Sequence, residues 1–289
     1  AGSGKSTLLQ WVGLVCAHSL KGRRFKGQDE LLKALGKPLF PILIPLGVFD
    51  RFCQMGKREP NAAALLDFLE ERYQQTSDHS LQKDTPYLEL KDLINSKMRV
   101  GCLLLFDGVD EVAPERRAHV RRAVIEMRRC FSSGDTKAII TSRYSAQGEA
   151  QIPEARLGRM QPLDDEKRNQ LISNLYHYYE ERQAEALTRE LIQRINGSDK
   201  RVQELAETPL MTTIFFIIHR PGHELPNRRA EVYQEAVKVL LTGGYRESQQ
   251  IMSDDRSKAD VSVQWDRLAF VAFQLHLAGY GEEGMPEEE

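Results

Sequence analysis

Ala1-Gly2-Ser3-Gly4-Lys5-Ser6-Thr7 gathers small residues, one lysine and three hydroxyls into seven positions. That set suits a phosphate-binding loop that feeds a helix, the second half of the pattern G-x-x-x-x-G-K-[ST]. Gly2 and Gly4 let the backbone bend so that consecutive N–H groups, that of Ser3 among them, turn toward phosphate oxygens. A helix starting near Lys5 adds the positive end of its dipole. Lys5 would reach the β- and γ-phosphates, the Ser6 hydroxyl would complete a Mg²⁺ shell, and Thr7 would be a further donor to the α-phosphate. In the full pattern the first glycine stands five residues before Gly4, which is two residues before Ala1. The sequence therefore reads as a piece of a longer protein that begins inside its own loop. A chance match in an ordinary loop is the plain alternative.

A second motif weighs against chance. Leu103-Leu104-Leu105-Phe106-Asp107-Gly108-Val109-Asp110-Glu111 lies about 100 residues downstream. The continuous apolar run Val100–Phe106 marks a fully buried parallel strand, and it delivers Asp107 to a sheet tip. There Asp107 can hold Mg²⁺, usually through water. Asp110 and Glu111 follow on the turn, and either can orient or deprotonate an attacking water. Thr141-Ser142-Arg143 closes the next strand, where Arg143 would face a γ-phosphate and sense it. The plain alternatives are an acidic turn after a strand and a surface arginine.

These residues need a sheet to hold them. Ser6–His18 is apolar nearly all round, which predicts a helix buried against that sheet. Residues 21–37 are basic and glycine-punctuated, a surface connection. Leu39–Leu46 reads as a strand, and Pro41 and Pro45 place it near a sheet edge. Asn61 can cap a helix Ala62–Tyr73, residues 74–86 read as loop, and Tyr87–Lys97 as a second amphipathic helix. Pro114 fits the first turn of a helix through Phe131. Ala138–Thr141 is the next strand, and Ala155–Met160 one more short strand. Strands alternating with helices predict a three-layer parallel α/β sheet. After Pro162 the pattern is helical: Asp165–Glu180, Ala184–Ile195, Lys200–Ala206, Leu210–His219, Arg228–Leu241 and Val263–Leu277. Gly244–Ala259 is polar and linker-like.

The chain has 289 residues, 40 Lys and Arg against 42 Asp and Glu, and a formal net charge of -2. That balance offers no global basic field for nucleic acid or anionic lipid. No apolar run approaches the ~20 residues that span a bilayer. Cys16, Cys53, Cys102 and Cys130 have no metal-ligand spacing, and buried thiols in a reducing cytoplasm account for them. The histidines, His219 and His223 among them, show no ligand spacing either and read as surface or structural.

Taken together, the chain resembles the NACHT family of STAND P-loop signalling NTPases. The resemblance rests on G-S-G-K-S-T at 2–7, L-L-L-F-D-G-V-D-E at 103–111 and T-S-R at 141–143, and continues in T-P-L at 208–210 and L-P-N-R-R-A-E-V-Y-Q-E-A at 225–236. It implies a nucleotide-binding domain over 1–160, a helical domain over 161–245 and the start of a winged-helix domain over 246–289. It implies ATP and ADP as ligands, and Pro209 as the proline that packs near the adenine. The function it implies is a nucleotide-gated switch with slow hydrolysis and self-association in the ATP state, as in innate immune or defence signalling. Effector and sensor domains would lie outside this stretch, and the setting would be cytoplasmic. Two alternatives stay open: a scaffold that holds ADP without turnover, and a motor ATPase that remodels nucleic acid or protein.

Overall fold

The computed structural model describes residues 2–24, 27–76, 101–130, 135–143, 155–220 and 228–241, with Ile152, Leu225, Pro226 and Phe270 besides. The expected helix Tyr87–Lys97, the stretch Gly244–Ala259, the helix Val263–Leu277 and the winged-helix segment lie outside these residues, but for Phe270. The chain is mixed α/β and divides into two compact units, Lys5–Gly158 and Ala1–Gly4 with Arg159–Glu289.

In Lys5–Gly158 three strands, β1 (Phe40–Pro45), β2 (Cys102–Asp107) and β3 (Lys137–Ile140), form a parallel sheet in the order β1-β2-β3. Phe40 pairs with Cys102 through to Pro45 with Asp107, and Leu103 pairs with Lys137 through to Phe106 with Ile140. Among the described residues β1 lies at an edge, where Pro41 and Pro45 can lack an N–H without breaking a central ladder. Every residue from Cys102 to Phe106 is fully buried. The period-two alternation of a strand then splits them between two cores. Cys102, Leu104 and Phe106 pack with α3 (Leu46–Met55), α4 (Ala62–Thr76) and α5 (Pro114–Cys130) through Phe49, Leu65, Phe68, Val120 and Met127. Leu103 and Leu105 pack on the opposite face with Leu9, Val12 and Cys16 of α1 (Lys5–Leu20). Helices thus cover both faces of the sheet, the setting in which a strand reads as an unbroken apolar run.

Several local details differ from the sequence reading. α1 buries Leu9, Val12, Val15 and Cys16, whereas Leu14 is 52% exposed. A helix resting on one sheet has only one face covered, so its apolar content overstated its burial. The stretch 21–37 contains α2 (Gln28–Leu35), whose Leu31 and Leu35 pack partly buried against the Leu9 cluster. α3 begins at the residue after β1 ends, with no loop between them. α4 runs on to Thr76, and the Asn61 side chain accepts from the Ala64 N–H at 2.8 Å as its cap.

Residues 155–160, expected as a strand, have no regular structure; Leu157 is exposed, so no face of the stretch is buried. Beyond them lie α6 (Asp165–Tyr179), α7 (Ala184–Gly197), α8 (Lys200–Leu205), α9 (Pro209–His219) and α10 (Arg229–Leu241). Each starts and ends within two residues of its expected bounds, the usual spread of helix ends. Ile172, Tyr176, Leu191, Ile195, Phe215 and Val232 build their common core. Asp164 caps α6 by accepting from the Lys167 N–H, and Asp199 caps α8 by accepting from the Arg201 N–H. Thr208 caps α9, with Pro209 at its first turn.

Candidate functional site

The direction of α1 decides where its first turn lies. A Cβ added at Gly13 would come 3.3 Å from Leu105 Cδ1 and 3.8 Å from Pro41 Cβ. Three residues on, the Cys16 thiol lies beside the backbone of Leu39, which precedes β1 and shares its buried cluster. Contacts along α1 therefore step back toward the strand starts, and the helix runs antiparallel to the strands. Lys5 stands eight residues before Gly13, about 12 Å along the helix at its usual rise. Asp107 stands two residues past Leu105, about 7 Å along the strand. Both displacements point to the carboxyl end of the sheet, the end where ligands of open α/β sheets bind. Lys5, Ser6 and Thr7 form the first turn of α1, which carries no acidic residue.

The tip of β2 is tied to the end of β3 by one residue. Thr141 Oγ1 donates to Asp107 Oδ1 at 2.6 Å and accepts from the Gly108 N–H at 2.9 Å. The Thr141 N–H donates to the Phe106 carbonyl, and its carbonyl accepts from the Val109 N–H. One side-chain hydroxyl and two main-chain groups thus hold four consecutive residues, Phe106 to Val109. Gly108 has φ of 75°, in the left-handed region that glycine enters at least cost.

The two acids of the turn have different surroundings. Asp110 Oδ1 accepts from the Arg143 N–H at 2.8 Å, and Asp110 Oδ2 lies 3.0 Å from Arg143 Nε. Its side chain is 12% exposed, that of Arg143 61%. Arg117 Nε donates to the Val112 carbonyl at 2.9 Å, fastening the residue after the turn to α5. Glu111 is exposed, and its side chain lies across two glycines. A Cβ at Gly108 would meet Glu111 Cδ at 2.8 Å, and a Cβ at Gly47 would meet Glu111 Cβ at 3.0 Å and Oε2 at 3.2 Å. The structure therefore joins Asp110 to Arg143 and leaves Glu111 toward solvent.

Gly2, Ser3, Gly4 and Pro209 belong to the other unit. Gly2 and Gly4 have φ of 77° and 83°. The Leu210 N–H, one of the donors at the start of α9 that lack a partner within the helix, donates to the Gly2 carbonyl at 3.3 Å. A Cβ at Gly2 would come 2.6 Å from Leu210 Cβ, and one at Gly4 would lie 3.6 Å from Pro209 Cγ. Pro209 and the two glycines are thus neighbours, and Gly2 is small for reasons of space as well as φ.

Among the described residues there is no cluster of three or more His, Cys, Asp or Glu suited to a metal ion. A Mg²⁺ that takes a hydroxyl and one carboxylate from protein, and its other oxygens from phosphates and water, needs no such cluster. Ser6 and Asp107 would be those two hard oxygen donors, and their chemistry suits such an ion. No helix among the described residues is long and apolar enough to cross a membrane.

Two residues of this region escaped the sequence reading. Thr141 lies inside T-S-R, and a hydroxyl closing an apolar strand is the signal it offers. Gly47 carried no signal, because its neighbour Glu111 is remote in sequence. No protein-family model matches the chain, and no curated protein matches it.

Proposed function

We propose that the chain is a nucleotide-gated signalling switch that binds ATP and ADP with Mg²⁺ and hydrolyses ATP slowly. The observation that carries this reading is the antiparallel course of α1, which directs Lys5 and Ser6 to the end of the sheet that Asp107 closes. In this reading Lys5 binds the β- and γ-phosphates, and Ser6 and Asp107 hold the metal, which neutralises phosphate charge. Thr7 and the N–H groups of Gly2 to Gly4 bind the remaining phosphate oxygens, and Pro209 packs near the adenine. Thr141 fixes the carboxylate of Asp107 in one orientation.

The surroundings of the two acids favour a division of roles. Asp110, engaged by the main chain and side chain of Arg143, is the anchor that orients that arginine toward phosphate. Glu111, exposed at the same turn, is the group that orients and deprotonates water. The gating and the self-association in the ATP state rest on the motifs shared with NACHT proteins. They require that the two nucleotides differ in affinity for the two states.

The test is Glu111→Gln, which keeps the shape of the side chain and removes its proton-accepting charge. Single-turnover hydrolysis falls by roughly 10²–10⁴-fold, the usual worth of a general base, while ATP binding is kept. Asp110→Asn, measured beside it, loosens Arg143 and lowers hydrolysis less. A parent rate in Glu111→Gln with loss in Asp110→Asn reverses the two roles. Parent rates in both remove this turn from the reaction. The size of the protein in ATP, by light scattering, checks the switch: Glu111→Gln accumulates the associated form.

A further inference from the structure

We infer that Gly47, in the first turn of α3, is a positioning residue for Glu111: it leaves the space into which that acid's side chain folds. The inference rests on the role proposed above for Glu111. A hydrogen at Gly47 leaves Glu111 room, whereas a methyl would stand 3.0 Å from Glu111 Cβ, 3.2 Å from Oε2 and 3.4 Å from the main-chain oxygen. The three contacts differ in what can yield. The carboxylate can rotate away and the main-chain oxygen is at ordinary contact distance, but Cβ is fixed to the backbone. Relief therefore requires the turn Val109–Glu111 or the start of α3 to shift by a few tenths of an ångström.

Neither side shifts freely. Thr141 holds the turn through the Gly108 N–H and the Val109 N–H. α3 continues directly from β1, whose register to β2 pairs Pro45 with Asp107. The residue beside Glu111 is thus set by the same ladder that sets Asp107. Gly47 has no left-handed φ that would explain a glycine, and glycine is a poor helix former. The space taken by Glu111 is the remaining reason for its size.

The test pairs a kinetic and a thermal measurement on the full chain. Gly47→Ala lowers single-turnover ATP hydrolysis by ~10-fold or more, since misplacement by 1 Å can cost 10²-fold. ATP affinity by calorimetry stays within about two-fold, because Lys5, Ser6 and Asp107 are untouched. In a Glu111→Gln background the same alanine has little left to remove, the non-additivity expected of residues acting together. Without nucleotide, Gly47→Ala raises the Tm in a Glu111→Gly background, where helix propensity acts alone, and raises it less or lowers it in the parent. The Glu111→Gly pair also gives the alanine a context free of the clash, should the single variant fold poorly. Parent hydrolysis in Gly47→Ala, with hydrolysis lost in Glu111→Gln, overturns the inference and leaves the proposed function standing. Parent hydrolysis in Glu111→Gln removes the role proposed for Glu111 and with it the positioning role of Gly47, and the Tm comparison still decides whether Gly47 and Glu111 press on each other. Equal Tm changes in the two backgrounds, or affinity lost in step with rate, overturn the inference.

Discussion

Thr141 shows how much one small side chain can organise. Its hydroxyl is buried, donates to Asp107 and accepts from the Gly108 N–H. Thr141→Val keeps the volume and removes both bonds, leaving a buried N–H and a carboxylate oxygen short of a partner. The expected cost is roughly 1–3 kcal/mol of stability, read by urea unfolding. Nucleotide affinity falls with it if Asp107 holds the metal as proposed. The motif itself was legible because its parts are local: hydroxyl beside lysine at 5–7, carboxylates at 107–111. The role of Thr141 was not, because its partners lie across the sheet on another strand. Nor was that of Gly47, which is 64 positions from Glu111.

At the scale of elements, periodicity made β2 and the long helices legible, since apolar residues recur over a dozen positions or fill a short buried run. α2 and α3 were harder. α2 is short and framed by charges, and Leu46 at the head of α3 continues the apolar run of β1 without a break. α6, α7 and α9 also share a polar contact that no local pattern announces. His219 of α9 is 3% exposed, with Nδ1 2.6 Å from the Tyr176 hydroxyl of α6 and Nε2 3.5 Å from Glu190 Oε1 of α7. Burial pushes its pKa below the ordinary value, against the opposite pull of Glu190; Arg194, which also donates to Glu190, pushes it the same way as burial. The unfolded chain therefore binds the proton better than the folded one. Below the unfolded pKa of about 6.5, stability declines with falling pH, and it levels off under the depressed folded value. The urea midpoint followed by circular dichroism is expected to be lower at pH 5 than at pH 7.5. His219→Gln narrows that difference. A gap unchanged by the substitution assigns the effect to other groups.

At the scale of the molecule, each unit buries its own apolar residues, and the three cysteines with described side chains all lie in Lys5–Gly158. Cys16, Cys53 and Cys102 are buried and free. Burial raises all three thiols, that of Cys53 to about 11 with the charge of Asp50 adding to the effect. They are poor nucleophiles while the fold is intact, so their alkylation reports opening of that unit. Leu191 is fully buried in the helical core. Leu191→Ala is expected to cost about 2–5 kcal/mol there, with Cys16, Cys53 and Cys102 labelled no faster in native buffer, each followed by mass spectrometry. Faster labelling would mean that damage to one core spreads to the other.

The joint between β1 and α3 has a consequence for how such a chain can change in length. Surface connections gain and lose residues easily, because added chain bulges into solvent. Here the strand passes into the helix with nothing between Pro45 and Leu46. One residue inserted at that joint would turn the whole helix by about 100° and advance it by about 1.5 Å. Glycine would leave the place beneath Glu111, and a side chain would take it. Length variation in this protein therefore belongs in its longer connections, while the count of residues from Phe40 to Gly47 stays fixed.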